Sequence, residues 1–384
     1  MNLSIASRAR PLKQSEIRAM TAKAVELGGV NLSQGLCDLP TPDPVKEAAA
    51  LAIARDCNTY APLNGLKALR ERIATKLLKY NRITADPETE ISVMSGATGA
   101  YTCALLALLE TGDKVLTFEP FYGYHVNVLK LFGFEPVFVR LAPPDWRIDF
   151  GLLEETLAKG VRAVVLNTPA NPTGKVFTRV ELQAIGALCS RYGVSIVTDE
   201  IYEYIVFAGH EHVSVASLDG LFERTVTVSG FSKTFAMTGW RLGYAAGPAA
   251  VIEKMSLISD LLYICAPHPL QAGLAAALPS FGESYYKNLP VMYDSKRRIL
   301  TRGLEAYGFE VLPLEGTYFL LADYRKCYGG ISSLEAAGRL LEEKTIASVP
   351  AASFFSGGHD ETWLRFCFAK EDGELGRASE LLSG

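Results

Sequence analysis

The 384 residues contain no C-x-x-C pair, no block of like charges, no internal repeat and no low-complexity tract, and each absence removes a class of protein. The seven cysteines (Cys37, Cys57, Cys103, Cys189, Cys265, Cys327, Cys367) are odd in number and widely separated. That fits neither a disulfide framework nor a zinc site and leaves buried free thiols as the reading. Lys and Arg are scattered, and a net charge of −4 with a pI near 5.9 gives no global positive field, so nucleic acid is not an expected partner. Residues 1–15 carry Arg8, Arg10 and Lys13 but no apolar block of signal-peptide length, and a cytoplasmic protein is expected. Histidine is scarce, at five. A lone His210-Glu211-His212 with no apparent third ligand reads as part of a solvated loop, and no metal is expected.

Apolar material is present in quantity, at 49% of residues, enough for a sizeable core in two unequal domains or one large α/β unit. Residues 91–109 lack any charged side chain and approach bilayer length. Ser95, Gly96, Thr98, Gly99 and Thr102 break that run into a strand, a Gly-rich turn and a helix, so a soluble βα unit is expected and no membrane partner. Apolar runs at 114–118, 135–140, 163–167, 195–198, 225–229 and 243–246 read as buried strands, with helical patterns such as 152–159 and 179–192 between them. The alternation predicts an α/β fold with a mostly parallel sheet covered on both faces. After Pro279 the pattern changes to a helix at 285–307, strands at 309–313 and 318–323, a helix at 333–344 and a strand at 363–369, which suggests a smaller α+β unit.

Several stretches carry chemistry. Ser229-Gly230-Phe231-Ser232-Lys233-Thr234-Phe235 sets one lysine among small residues, and Arg241 follows eight positions later. An amine so placed can form a Schiff base with an aldehyde cofactor such as pyridoxal 5'-phosphate (PLP), and a guanidinium can clamp its phosphate. Ser95-Gly96-Ala97-Thr98-Gly99 ends a strand and opens a helix, offering backbone N–H groups to an anion. Asn167-Thr168-Pro169-Ala170-Asn171-Pro172-Thr173-Gly174 is a turn-rich loop after a strand, at the end of the sheet where open α/β folds bind ligands, though it also reads as a plain turn. Asp199-Glu200-Ile201-Tyr202 follows the next strand, and Asp199 could equally be a helix cap. Trp363-Leu364-Arg365-Phe366-Cys367-Phe368-Ala369 buries one guanidinium in an apolar strand, which calls for an anion, either an internal acid or a substrate carboxylate.

Taken in order, these stretches resemble the class I PLP-dependent aminotransferases, and the sequence around Pro350 and Arg365 looks closest to the kynurenine/glutamine/aromatic branch. The resemblance covers nearly the whole chain. It implies a fold type I PLP-transferase with a seven-stranded sheet, a large domain at 45–284 and a small one made of 1–44 and 285–384. By the same likeness Lys233 holds PLP, Asp199 pairs with the pyridine nitrogen, and Asn171 and Tyr202 contact the ring oxygen. Ile201 and Tyr122, from Glu119-Pro120-Phe121-Tyr122, cover the two ring faces. Ala97, Thr98 and Arg241 hold the phosphate. The family often has a hydroxyl three residues before the lysine; here that residue is Gly230, which leaves Ser229 or Ser232 to substitute. Tyr60, in Asn58-Thr59-Tyr60-Ala61-Pro62, resembles the tyrosine that reaches a neighbouring subunit's phosphate, so a homodimer is implied. Arg365 with Asn171 resembles the α-carboxylate site, and Gly35, in Asn31-Leu32-Ser33-Gln34-Gly35-Leu36, the loop that closes over substrate.

The implied reaction moves the amino group of an L-amino acid to a 2-oxo acid. No arginine occurs from Leu242 to Ser295, where aspartate-preferring members can carry one, which points to a neutral, aromatic or sulfur-containing side chain. A carbon–sulfur β-lyase, an aspartate-type aminotransferase and a non-catalytic PLP-sensing module remain as alternatives. The last is disfavoured because residues 1–44 are too short and too mixed in charge for a basic helix-turn-helix.

Overall fold

A computed structural model describes residues 4–6, 9–10, 16–35 and 37–384; Leu36 of the substrate-loop motif and most of residues 1–15 lie outside the described residues. The main sheet has seven strands: β1 (Ile91–Ser95), β2 (Lys114–Glu119), β3 (Glu135–Arg140), β4 (Val161–Asn167), β5 (Ser195–Asp199), β6 (Thr225–Gly230) and β7 (Leu242–Ala246). Their spatial order is β1-β7-β6-β5-β4-β2-β3, and every neighbouring pair is parallel except the two that β7 makes with β1 and β6. The six expected strands start and stop within two residues of these bounds. Their apolar runs fit a sheet buried on both faces: β6 is buried at every position, and β5 at all but its first.

Local chemistry sets the element ends. The helix Arg179–Tyr192 begins at a capping box between Thr178 and Glu181 and stops at Gly193, whose φ of 66° lies in the left-handed region. Gly96–Leu108 opens directly after β1 with no capping side chain, so its first N–H groups stay available. Its first turn lies so close to β7 that a Cβ on Gly243 would collide with the Ala97 backbone nitrogen. The uncharged run at 91–109 is therefore β1 and this helix, and among the described residues no helix is long and apolar enough to cross a membrane.

A second sheet is antiparallel: β8 (Glu310–Val311), β9 (Phe319–Asp323), β10 (Val349–Pro350) and β11 (Trp363–Cys367), in the order β10-β11-β9-β8. The strand expected over 309–313 contracts to two residues. Leu312 still donates to the Leu321 carbonyl at 2.9 Å, but Pro313 has no N–H with which to continue the ladder. The helix expected at 285–307 spans Glu283–Tyr307, and that at 333–344 is Ser333–Lys344. Val30–Asn31 pairs in parallel with Ile346–Ala347, tying the N-terminal segment to this region. One hydrophobic cluster joins Ile201 and Tyr202, just beyond β5, to Tyr318, Phe319, Leu364 and Phe366 around the second sheet. The segment just beyond the carboxyl end of β5 thus packs against the second sheet.

Candidate active site

Asn167 and Asp199 end adjacent central strands in direct register, so their side chains emerge side by side. Asp199 is held from several directions. Its Oδ2 lies 2.9 Å from His125 Nε2, its Oδ1 accepts the Ile201 N–H at 3.2 Å, and its carbonyl accepts the Asn167 amide at 3.0 Å. Asn167 Oδ1 in turn accepts the Asn171 N–H at 2.7 Å, which fixes the turn-rich loop to the sheet. The aspartate is not a helix cap, because no helix follows it.

Lys233 projects into the same cleft, which is also lined by Ala97, Thr98, Tyr122 and Asn171, by Asp199, Ile201 and Tyr202, and by Arg241. Burial pulls the Lys233 pKa down from 10.5 to about 8. Its amine donates to the Tyr318 hydroxyl at 2.6 Å and to the Gly35 carbonyl at 3.3 Å. The Gly35 backbone comes close because it lacks a side chain: a Cβ there would sit 2.8 Å from Phe319 Cζ.

Arg241 and the start of the Gly96–Leu108 helix form a cationic corner. Gly96, at φ +73°, leaves room for the guanidinium; a Cβ there would lie 2.5 Å from Arg241 Nη2. Arg241 Nη1 donates to the Thr238 carbonyl at 3.0 Å. Ser232 lines the cleft, whereas Ser229 is buried and donates to Glu203 at 2.9 Å, so of the two serines only Ser232 faces the corner. Gly230 is explained by packing, since a Cβ would sit 3.0 Å from Gly243 Cα and 3.3 Å from Ile201 Cδ1.

Arg365 is 3% exposed on β11, its Nη1 bonded to Asn171 Oδ1 at 2.8 Å and its Nη2 to the Ser33 carbonyl at 2.7 Å. Its Nε is buried without a partner, and its carbon lies 4.1 Å from the Phe319 ring centre and 5.1 Å from that of Phe354. Among the described residues no carboxylate pairs with Arg365, Arg241 or Lys233. Burial without an anion lowers the Arg365 pKa. A cleft with an uncapped helix start, Lys233, Arg241 and one clamped carboxylate, backed by Arg365 behind Asn171, has the donor set for a phosphorylated pyridine aldehyde and a substrate carboxylate, so the residues fit PLP.

Tyr60 stands apart, 79% exposed and outside the cleft. His125 and Tyr318 were not singled out from the sequence. His125 sits on the core face of Gly123–Phe132 with Val126 and Leu129, and a polar residue on that apolar face was the available signal. Tyr318 lies within an apolar run and gave none. His212 corrects the solvated-loop reading. Its side chain is buried and its Nε2 lies 3.0 Å from Glu200, near Glu203. Glu203 is itself occupied by the Lys76 ammonium at 2.5 Å and the Asn81 amide at 2.7 Å.

Comparison with known proteins gives the family. Residues 28–382 match the model described as "Aminotransferase class I and II". The chain is 35% identical over 363 residues to the methionine aminotransferase of Escherichia coli, covering 94% of each, and 34% identical over 390 residues to the kynurenine–oxoglutarate transaminase 3 of Mus musculus, covering 94% of this chain and 86% of that one. The solved N-succinyldiaminopimelate aminotransferase from Mycobacterium tuberculosis superposes with a TM-score of 0.94 at 36% identity over 99% of both chains. With fold, cleft and relatives in agreement, the chain belongs to the class I and II aminotransferases: it is a PLP-dependent amino-acid aminotransferase of fold type I.

Proposed function

We propose that this aminotransferase takes an L-amino acid with a neutral side chain, aromatic or sulfur-containing, as donor. The observation that carries the reading is apolar surface where a second charge-reader would be needed. The helix Ala249–Tyr263 ends in Leu261, Leu262 and Tyr263 and is followed by Ile264, exposed by 85, 45, 41 and 50%, and no arginine occurs from Leu242 to Ser295. A dicarboxylate would find no guanidinium in that stretch. The methionine and kynurenine enzymes among the relatives agree with this, while the succinyldiaminopimelate enzyme, equally similar, means that likeness alone does not choose the substrate.

Roles for the residues follow from their chemistry. When bound, PLP supplies an aldehyde that captures the amino group and a ring that accepts electrons as Cα loses its proton. Lys233, its pKa near 8, is poised to hold the cofactor and then to carry the Cα proton as a neutral base. Asp199, braced by His125, would pair with the pyridine nitrogen. Tyr202, its phenol pushed well above its ordinary pKa by burial, stays protonated and offers a hydrogen bond alongside Asn171. Tyr122 and Ile201, which line the cleft, would cover the ring faces. The N–H groups at Ala97 and Thr98 would hold the phosphate with Arg241. Arg365 and Asn171 grip the α-carboxylate, and Gly35 brings the N-terminal loop against it.

The same proposal includes a homodimer in which Tyr60 and the apolar end of the 249–263 helix serve the neighbouring site. It includes a division into a large domain at 45–284 and a small one of 1–44 with 285–384. A cytoplasmic setting is supported by the seven free thiols. The test is single-turnover release of 2-oxo acid, without acceptor, from L-methionine, L-kynurenine, L-phenylalanine and L-aspartate. Neutral donors are expected to react at least about tenfold faster than aspartate. Equal or faster aspartate turnover would overturn the substrate reading, and continuous pyruvate and ammonia would replace transfer by elimination.

A further inference from the structure

Tyr318 immediately precedes β9 and is wholly buried, with its hydroxyl 2.6 Å from Lys233 Nζ and 2.8 Å from the Gly35 carbonyl. A phenol has one proton, and here it is donated to Gly35, so toward Lys233 the oxygen acts as an acceptor. Burial raises the phenol pKa well above 10, which keeps that arrangement at working pH. Gly35 O is the second acceptor for the amine, at 3.3 Å. Neither Tyr318 nor Gly35 lines the cleft, whereas Lys233 does. A neutral amine has two N–H bonds and one lone pair, so two acceptors behind it leave the lone pair facing forward.

We propose that Tyr318, together with the Gly35 carbonyl, is a positioning pair that holds the two N–H bonds of free Lys233 and aims its lone pair into the cleft. The inference rests on the reading of Lys233 as the cofactor lysine and proton carrier. Tyr318 lies behind the residues that line the cleft and acts through Lys233. The ring is fixed edge-on to Tyr202, with centres 5.2 Å apart, and packs against Tyr293 at 5.8 Å, so the hydroxyl is aimed by the core and not by a flexible loop. Cys37, Cys367, Asp199 and Arg241 also act on the lysine, and Tyr202 faces it at 5.7 Å.

The test uses Tyr318→Phe, which keeps the ring and removes the acceptor. An acceptor favours ammonium over amine, so its loss lowers the Lys233 pKa. In the cofactor-free protein, with folding checked by thermal melting, reductive methylation of Lys233 followed by peptide mapping should show a pH midpoint lowered by about half a unit. In the loaded protein, single-turnover removal of the Cα proton, read with an α-deuterated amino acid, should slow about tenfold with unchanged dependence on amino-acid concentration. An amine that is more often neutral yet slower in directed transfer is the signature of lost aim. An unchanged midpoint, with or without slower turnover, overturns the proposal, as does an unchanged rate. Borohydride trapping separates the two levels: cofactor fixed on Lys233 in both proteins keeps the underlying reading while the midpoint judges Tyr318, and its absence from Lys233 refutes that reading itself.

Discussion

Arg241 lines the cleft and Arg365 is buried behind Asn171; neither has a carboxylate partner among the described residues, and they are built in opposite ways. Arg241 is exposed, at positive φ, and lies beside glycine backbone and an uncapped helix start. Arg365 is sealed in a strand between two phenyl rings, with two neutral oxygens as acceptors and its Nε without a partner. Water can solvate the first before any ligand arrives, so leaving that corner empty is cheap. The second carries a desolvated charge that only an incoming anion neutralises, so binding of a carboxylate there relieves a cost already present in the ligand-free protein. On the proposed roles, the cofactor phosphate and the substrate α-carboxylate are held by separate elements.

The strongest way to break this contrast is Arg365→Met. Turnover (kcat/KM) of amino acids should fall by at least about a thousandfold, as expected on losing a buried charge-assisted pair. Thermal stability of the ligand-free protein should hold or rise, because an uncompensated charge leaves with the side chain. A stability loss of about 3–5 kcal/mol, the cost of breaking a buried ion pair, would show that Arg365 has a hidden counter-ion. Arg241→Gln should weaken PLP binding about a hundredfold by equilibrium titration and leave the amino-acid KM of the loaded fraction nearly unchanged. Gly96→Ala should weaken PLP about tenfold and lower stability by about 1–2 kcal/mol, since the left-handed backbone and the guanidinium both oppose a Cβ. The smallest effect concerns pH. Lys233 titrates near 8 in the folded protein and near 10.5 unfolded, so between those values the native state has released a proton that the unfolded state keeps. Stability of the cofactor-free protein therefore gains a rising contribution across pH 8 to 10.5, and Lys233→Met should remove that rise in denaturant titrations.

Much of the architecture was legible because strand and turn chemistry is local. Runs such as 135–140 and 179–192 matched the observed elements residue for residue, the latter framed by Thr178 and Gly193. The residues lining the cleft were legible where a motif ends a strand, as at Ser95, Asn167 and Asp199. His125 and Tyr318 were not, because their significance comes from where helix Gly123–Phe132 and the approach to β9 fall in space: His125 meets Asp199 across 74 positions and Tyr318 meets Lys233 across 85. The choice between Ser229 and Ser232 was likewise not legible, since Ser229 lies within β6 and faces Glu203 while Ser232 lies in the turn beyond its end and faces the cleft. His212 misled because a polar neighbourhood in sequence folds against a buried Glu200.

The most direct test of the account is borohydride reduction of the PLP-loaded enzyme, followed by peptide mapping. The cofactor should be found fixed to Lys233 alone, with stoichiometry near one per chain, and Lys233→Ala should neither trap it nor release 2-oxo acid from any donor. Cofactor fixed to another lysine, or 2-oxo acid released by Lys233→Ala at the wild-type rate, would contradict it.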